Sequence, residues 1–240
     1  MPPPSKVGRP RETDMREIWN AIQYIASGGV AWALLPKDFP PSSTVRYWFY
    51  RFRNEGLLEL INDVLAIAAR RLAGRKAQPT AGVIDSQSVK TTESGGPRGY
   101  DAGKKVKGRK RHIVTDTLGL LLSCIVHEAD IQDRDGARIT LGEALDRFPS
   151  LKHFFADGGY RGDKLAGFVE LKQRTLEIVK RPDDAKGFVV IARRWVVERT
   201  FAWLGRCRRL AKDWETSIES SEAWTYIASI RLISRRLARA

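Results

Sequence analysis

Only two cysteines, Cys124 and Cys207, and three histidines, His112, His127 and His153, occur among the 240 residues. The cysteines form no CxxC arrangement and the histidines show no ligand spacing, so neither a zinc centre nor a disulfide framework is written here. Both cysteines are expected as buried, reduced packing residues. Long apolar runs are missing as well. The longest, Leu118 to Val126, is interrupted by Ser123 and falls far short of the roughly 18 residues that cross a bilayer, which excludes a helical membrane span. The opening stretch MPPPSKVGRPRE has no apolar core for a secretion signal, and the expected location is the cytoplasm.

Negative charge is the other scarcity. Against 28 acidic side chains stand 42 lysines and arginines, a formal charge of +14. The excess is concentrated in residues 1–79, 90–112 and 180–240, around a mildly acidic middle. Such bracketing suits a neutral to acidic core whose outer surfaces meet a polyanion, and nucleic acid is the leading candidate.

What is present divides into two regions. From Thr13 to Gly28 the residues Ile18, Trp19, Ile22, Ile25 and Ala26 recur at helical spacing, with Asp14 or Thr13 as cap and Gly28-Gly29 as stop. Ser43 or Thr44 then opens a second helix with Val45, Trp48, Phe49 and Phe52 on one side and Arg46 and Arg51 elsewhere, and Leu57 to Leu72 reads as a third. These helices, residues 1–75, read equally as a helix-turn-helix-like DNA-binding domain, with Arg46 and Arg51 facing a groove, or as a small bundle packed on the main domain. RRLAGRKAQPTAG, residues 70–82, marks the boundary.

From residue 80 to 240 strands alternate with helices: a strand over Ala81 to Asp85, a hairpin over Arg111 to Ile125 turning near Asp116 and Gly119, and a helix over Asp135 to Phe148. A strand at Lys152 to Asp157, a helix at Asp163 to Gln173 and a strand at Leu176 to Lys180 follow, then helices over Ala192 to Leu210 and Ser221 to Leu237. That order implies an α/β fold, a mixed sheet with helices on its faces. The glycine-rich segment SGGPRGYDAGKKVKGRK reads as a flexible loop whose Lys104, Lys105, Lys107, Arg109, Lys110 and the following Arg111 track a phosphate backbone. Trp203, Trp214 and Trp224 read as packing residues.

Three acids stand in apolar company. Asp85 ends AGVID, Asp157 ends KHFFAD, and Glu198 interrupts RRWVVERTFAWL. A carboxylate set among valine and tryptophan costs about several kcal/mol unless paired or bound to a cation. Two strand-end carboxylates with a third from a helix across them make a hard oxygen site for Mg²⁺ or Mn²⁺, and two such ions about 3.5–4 Å apart catalyse phosphodiester chemistry. The plainer roles are turn caps for Asp85 and Asp157, and an ion pair of Glu198 with Arg194 one turn earlier, worth about 0.2–0.5 kcal/mol.

AGVIDSQSVKT, FFADGGYRG and RRWVVERTFAWLGRCRRLAKDWE together resemble the catalytic blocks of bacterial DDE transposases of the insertion-sequence-five type, within the insertion-sequence-four superfamily. IWNAIQYIASGGVAWALLPKDFPPSSTVRYWFYRF similarly resembles their small N-terminal domain. The resemblance implies a ribonuclease-H-like core preceded by the helical domain, with Asp85, Asp157 and Glu198 holding two Mg²⁺ or Mn²⁺ ions. It also implies an enzyme that cuts element ends at terminal inverted repeats and joins the 3′ ends to target DNA. A homodimer or larger assembly on double-stranded DNA, associated with the nucleoid when bound, comes with it. In the superfamily's spacing of tyrosine, arginine, glutamate and lysine, Arg194 and Glu198 match, while Ile191 and Gly205 occupy the tyrosine and lysine positions, with Arg206 adjacent. Similar proteins carry a further short helical stretch before the Met1-Pro2-Pro3-Pro4 opening, so a shortened end-binding domain is expected. Arg194, Arg199 and Arg206 are the expected phosphate contacts around the glutamate helix. Two rivals share these features: a ribonuclease-H-like nuclease that hydrolyses without joining, and a catalytically inactive DNA-binding protein from a truncated element.

Overall fold

The structure, a computed structural model, describes residues 13–179 and 194–239. Helix α1 (Met15–Gly28) starts where the Asp14 carboxylate accepts the Arg16 N–H at 2.8 Å and stops at Gly29, whose φ of 68° is left-handed. Helix α2 (Ser42–Asn54) differs at its start from the expectation: Pro41 holds the cap position without a side-chain bond. The fixed φ of proline pre-orders the turn there. Helix α3 runs over Leu57–Leu72.

Six strands follow: β1 (Ala81–Lys90), β2 (Gly99–Asp101), β3 (Val106–Asp116), β4 (Leu121–Glu128), β5 (His153–Ala156) and β6 (Thr175–Ile178). Helix α4 (Asp133–Arg147) lies between β4 and β5, α5 (Asp163–Leu171) between β5 and β6, and α6 (Arg194–Leu204) and α7 (Ile218–Leu237) close the chain. The expected hairpin is present, its turn held by Asp116, which accepts the N–H groups of Leu118 and Leu120 at 2.9 Å. The supposed flexible loop before it is shorter than expected, because Gly99–Asp101 and Val106 onward pair as strands. Residues 180 and 192–193 of the expected elements lie outside the described residues. The helix expected through Leu210 stops at Leu204, and Arg208–Leu210 form a separate 3₁₀ turn.

In the sheet β1 pairs antiparallel with β3 and parallel with β5, β6 continues parallel to β5, and β4 returns antiparallel on β3. This is the ribonuclease-H-like order, a mixed sheet with helices on both faces. Alternation along the strands sorts their side chains. Val83, Ile113, Cys124 and Phe155 join α1, α2, α6 and α7 in one core, while Ile84, Val114, Phe154 and Ala156 join α4 and α5 in another. The N-terminal helices therefore share a core with the C-terminal one: the Phe49 ring stacks on buried Trp224 with centroids 4.6 Å apart, and Trp32 tilts against the same indole. Trp214, expected to pack, is instead 40% exposed with Lys212 over its ring. Cys124 and Cys207 are free and buried. Among the described residues no helix is long and apolar enough to cross a membrane.

Arg147 ties the layers together. From the end of α4 its guanidinium pairs with Asp63 of α3 and with Glu143, and it stacks over the Tyr226 ring of α7. Arg147→Met should destabilise the fold by about 2–4 kcal/mol in guanidinium unfolding, because Asp63 and Glu143 lose their shared partner. Nearby, burial pushes the Glu222 carboxyl up to about 8, with Glu143, Glu219 and Glu59 adding to it against the Val126 N–H that Glu222 accepts. The folded state thus holds this proton more tightly than the unfolded chain. The associated stability is complete below the ordinary value of 4.5 and drains away as pH rises through about 8. Glu222→Gln should leave thermal melts flatter than wild type between about pH 5 and 8, and parallel curves would contradict this assignment.

Candidate active site

The site begins with a register. In the parallel pair β1–β5, Val83 sits opposite Phe155, so two residues further along each strand direction Asp85 and Asp157 come side by side. Parallel neighbours stand about 4.8 Å apart. Both acids share the parity of Val83 and Phe155, the face on which α6 packs through Val197, Phe201 and Leu204. They also stand at the carboxyl end of β5, where β1 has an antiparallel neighbour on one side and a parallel one on the other, the kind of crevice in which open sheets bind ligands.

Burial pushes the Asp85 carboxyl up to about 6, and neighbouring Asp157 adds to the shift. The Ser86 N–H, which Asp85 accepts at 2.7 Å, pulls the other way, as do Lys104 and Arg194. Two carboxylates so placed create a demand for positive charge. Arg194, at the start of α6, answers part of it: its guanidinium lies 3.7 Å from Asp157 and 3.3 Å from Glu198. Glu198 is exposed and faces the aspartate pair across that arginine. The plainer roles coexist with the cluster, since Asp157 caps the turn at Gly159 at 2.8 Å and Glu198 pairs with Arg194. Among the described residues no group of three His, Cys, Asp or Glu side chains is close enough to hold a metal ion. The structure brings Asp85 and Asp157 together and leaves Glu198 engaged by Arg194.

The basic residues divide. Lys105, Lys107, Arg46 and Arg206 are exposed. Arg51 pairs with Glu55 at 2.6 Å and lies over Trp48. Arg199 donates to the Leu118 carbonyl and covers the Trp203 ring. Lys104 reaches inward, donating to the Ser86 carbonyl at 3.1 Å, beside the acid pair. Arg109, Lys110 and Arg111 correct the loop expectation. They lie on β3 and are buried, at 0%, 5% and 3% exposure, so their charges meet no outside phosphate. Arg109 pairs with Asp213 at 3.2 Å and donates to the carbonyls of Pro97, Glu215 and Thr216. Lys110 pairs with Asp133 at 3.0 Å, and Arg111 donates to the Leu210 and Lys212 carbonyls.

Sequence reasoning missed a polar layer behind Asp85. The next residue, Ser86, points to the opposite face and donates to Asp133 at 2.9 Å. Burial pushes Asp133 upward, but Lys110 and Ser86 outweigh it and hold its carboxyl below the ordinary range. Next to them His112 and His127 stack and share a 2.7 Å N···N hydrogen bond, and burial followed by the His127 charge pushes His112 down to about 3. The imidazoles are neutral there. Tyr160 is buried against the His112 ring. The available signal was the alternation along β1, which aims Ser86 at whatever follows β4.

Residues 76–233 match the family described as a transposase DDE domain, and residues 1–62 match a second described as "Putative transposase of IS4/5 family". The chain belongs to the IS4/5-type DDE transposase family. The "Putative transposase for insertion sequence element IS402" of Burkholderia cepacia is 28% identical over 217 residues, covering 76% of this chain and 98% of that protein. Among solved structures, the catalytic core domain of BIV integrase is similar at 15% identity and a TM-score of 0.41, covering 64% of this chain and 82% of that one. The Mos1 transposase paired-end complex with the left transposon end is similar at 13% identity and a TM-score of 0.36, covering 98% and 80%.

Asp157→Asn should lower the Asp85 midpoint from about 6, though not to the ordinary 3.8, because burial is the larger cause. Carboxyl-carbon NMR titration reads this directly, and an unmoved midpoint would show that the two carboxylates do not sense each other.

Proposed function

We propose that the protein is a transposase that cuts the ends of an insertion sequence and joins the freed 3′ ends to target DNA, with Asp85, Asp157 and Glu198 as its metal-holding acids. The observation that supports this reading best is the pair of adjacent carboxylates fixed by the β1–β5 register under α6. The donor set fits a hard divalent ion: the carboxylates offer oxygen alone, their mutual charge is incompletely offset, and Mg²⁺ commonly takes one or two protein carboxylates plus substrate phosphates. When bound, two Mg²⁺ or Mn²⁺ ions supply an activated water or 3′-hydroxyl and stabilise the leaving oxygen.

The chain's own residues do the rest. Arg194 bridges Asp157 and Glu198, and a guanidinium prefers a phosphate's paired oxygens. DNA entering the site draws Arg194 onto a phosphate and frees Glu198 to complete the acid set. Lys104, held by Ser86, offers a second cation beside the pair. Arg199, Arg206, Lys105, Lys107, Arg46 and Arg51 line the path of the duplex. A homodimer or larger assembly brings two element ends together, and the protein works in the cytoplasm on the nucleoid.

The test uses DNA carrying the inverted repeats that flank its own gene, incubated with Mg²⁺. Cut and joined products should form, and each of Asp85→Ala, Asp157→Ala and Glu198→Ala should depress both about 10³-fold or more, several kcal/mol of barrier. Cutting without joining would favour the hydrolytic nuclease. Salt-dependent binding with no product, unchanged by the three substitutions, would favour the inactive DNA-binding protein.

A further inference from the structure

A cleft of about 770 Å³ lies between α6, α7 and the β3–β4 turn. Arg199 and Arg206 enter it from the α6 side, and Arg231, Arg235, Arg236 and Arg239 from α7 and its end. Among the described residues no aspartate or glutamate lines it. Arg231 donates to Ser27 at 3.1 Å and Arg199 to the Leu118 carbonyl at 3.2 Å, so both are fixed in the wall. The Arg199 Nε is buried without a hydrogen-bond partner. Arg206, Arg235, Arg236 and Arg239 have no acidic partner among the described residues and are exposed.

Like charges gathered this closely repel one another and persist where an anion is to be met. The simplest structural role, cations at the end of α7 offsetting its dipole, accounts for Arg235 and Arg236. It does not account for Arg199 and Arg206, which reach the same space from another element.

We propose that this cleft is a second DNA-binding site, distinct from the acid pair, which takes the sugar-phosphate backbone of one strand along the arginine row of α7. This deepens the transposase reading and rests on it. Dimensions agree. Arg231 to Arg239 spans about 12 Å at 1.5 Å per residue, room for about two or three consecutive phosphates of one backbone. Chemistry agrees as well, since guanidinium groups bind phosphate oxygens in pairs. The half-buried Trp203 under Arg199 adds an aromatic face of the kind on which unpaired bases stack. The site is also continuous with the acids, because Glu198 and Arg199 are neighbours on α6, about 100° apart around the helix. A strand held in the cleft needs to cross only the width of α6, about 10 Å, to reach Asp157.

The experiment measures fluorescence anisotropy of a labelled duplex against salt, with the full chain and with chelator present, so that binding is read without cutting. The combined variant Arg235→Ala, Arg236→Ala, Arg239→Ala changes exposed residues and keeps helix-favouring side chains. Its slope of log K against log salt should be shallower than wild type by about 2–3, with affinity at low salt reduced at least tenfold. The matching lysine variant should recover most of the slope, and Arg138→Ala, on α4, should leave it unchanged. An unchanged slope in the alanine variant overturns the proposal. So does displacement of the duplex by inorganic triphosphate as readily as by a second duplex at equal phosphate concentration, which would make the cleft a small-anion site. The slope and the joining assay fail separately: an unchanged slope in a protein that still joins ends removes the cleft alone. A lost slope in one that never joins removes the transposase reading alone.

Discussion

Two carboxylates held next to each other by a parallel strand pairing are the constraint on which the rest of this molecule depends. Once Val83 is fixed opposite Phe155, Asp85 and Asp157 have nowhere else to go, and a one-residue slip would send one of them to the α4–α5 face. The register is secured by apolar side chains on both faces. Val83 and Phe155 lock into the core shared with the α6 and α7 layer, Ile84 and Phe154 into the core under α4 and α5. Hydrophobic burial thereby works against an electrostatic penalty that shows in the raised Asp85 carboxyl. The like charges are kept close because slipping out of register would expose both cores.

Relief of that penalty is distributed. Arg194 reaches Asp157 from α6, Lys104 approaches through Ser86, and the Ser86 N–H caps Asp85. Behind them the Ser86 hydroxyl, Asp133 and Lys110 form a fully paired set, and the neutral His112–His127 couple adds no charge to it. Close packing keeps this layer in place, since Gly136 lies against both imidazoles and a side chain there would strike them. The strand carrying Asp85 is thus supported by apolar contacts and, behind Ser86, by a polar layer in which Asp133 and Lys110 are paired while the His112 Nε2 and the Tyr160 hydroxyl are buried without a hydrogen-bond partner. Such support holds the Asp85 carboxylate in one geometry.

How much of this was legible depended on range. The acids were visible because each broke an apolar pattern, and Asp116 and Gly119 announced their turn by residue type alone. Arg109, Lys110 and Arg111 were misread for the opposite reason: locally they are a dense basic stretch beside glycines, and their partners lie elsewhere, at Asp133 for Lys110 and, about a hundred residues onward, at Asp213 and the carbonyls of Leu210, Glu215 and Thr216 for the two arginines. No local pattern shows that a cation will be bonded from so far along the chain. The α1–α3 helices illustrate the same limit. Their amphipathic faces were plain, but that those faces meet Trp224 of α7, rather than one another alone, is decided by tertiary packing.

The buried cations also settle where the surplus charge resides. Arg109 is matched by Asp213, Lys110 by Asp133, and Arg70 by Asp116, all within the fold. Each of these pairs removes one positive and one negative charge, so the formal excess of +14 is undiminished by them. It resides on the remaining residues, of which Arg111 is buried against the carbonyls of Leu210 and Lys212, while the other described cations are not buried. Burying a cation without a partner is prohibitive, and the fold holds those it buries with acidic side chains or, at Arg111, with backbone carbonyls. Acids remain on the surface as well, Asp14, Glu55, Asp163 and Glu219 among them, while among the described residues none lines the α6–α7 cleft. The basic character of that cleft is therefore local: it follows from the arginines that converge on it from α7 and from around the end of α6, not from a surface stripped of carboxylates.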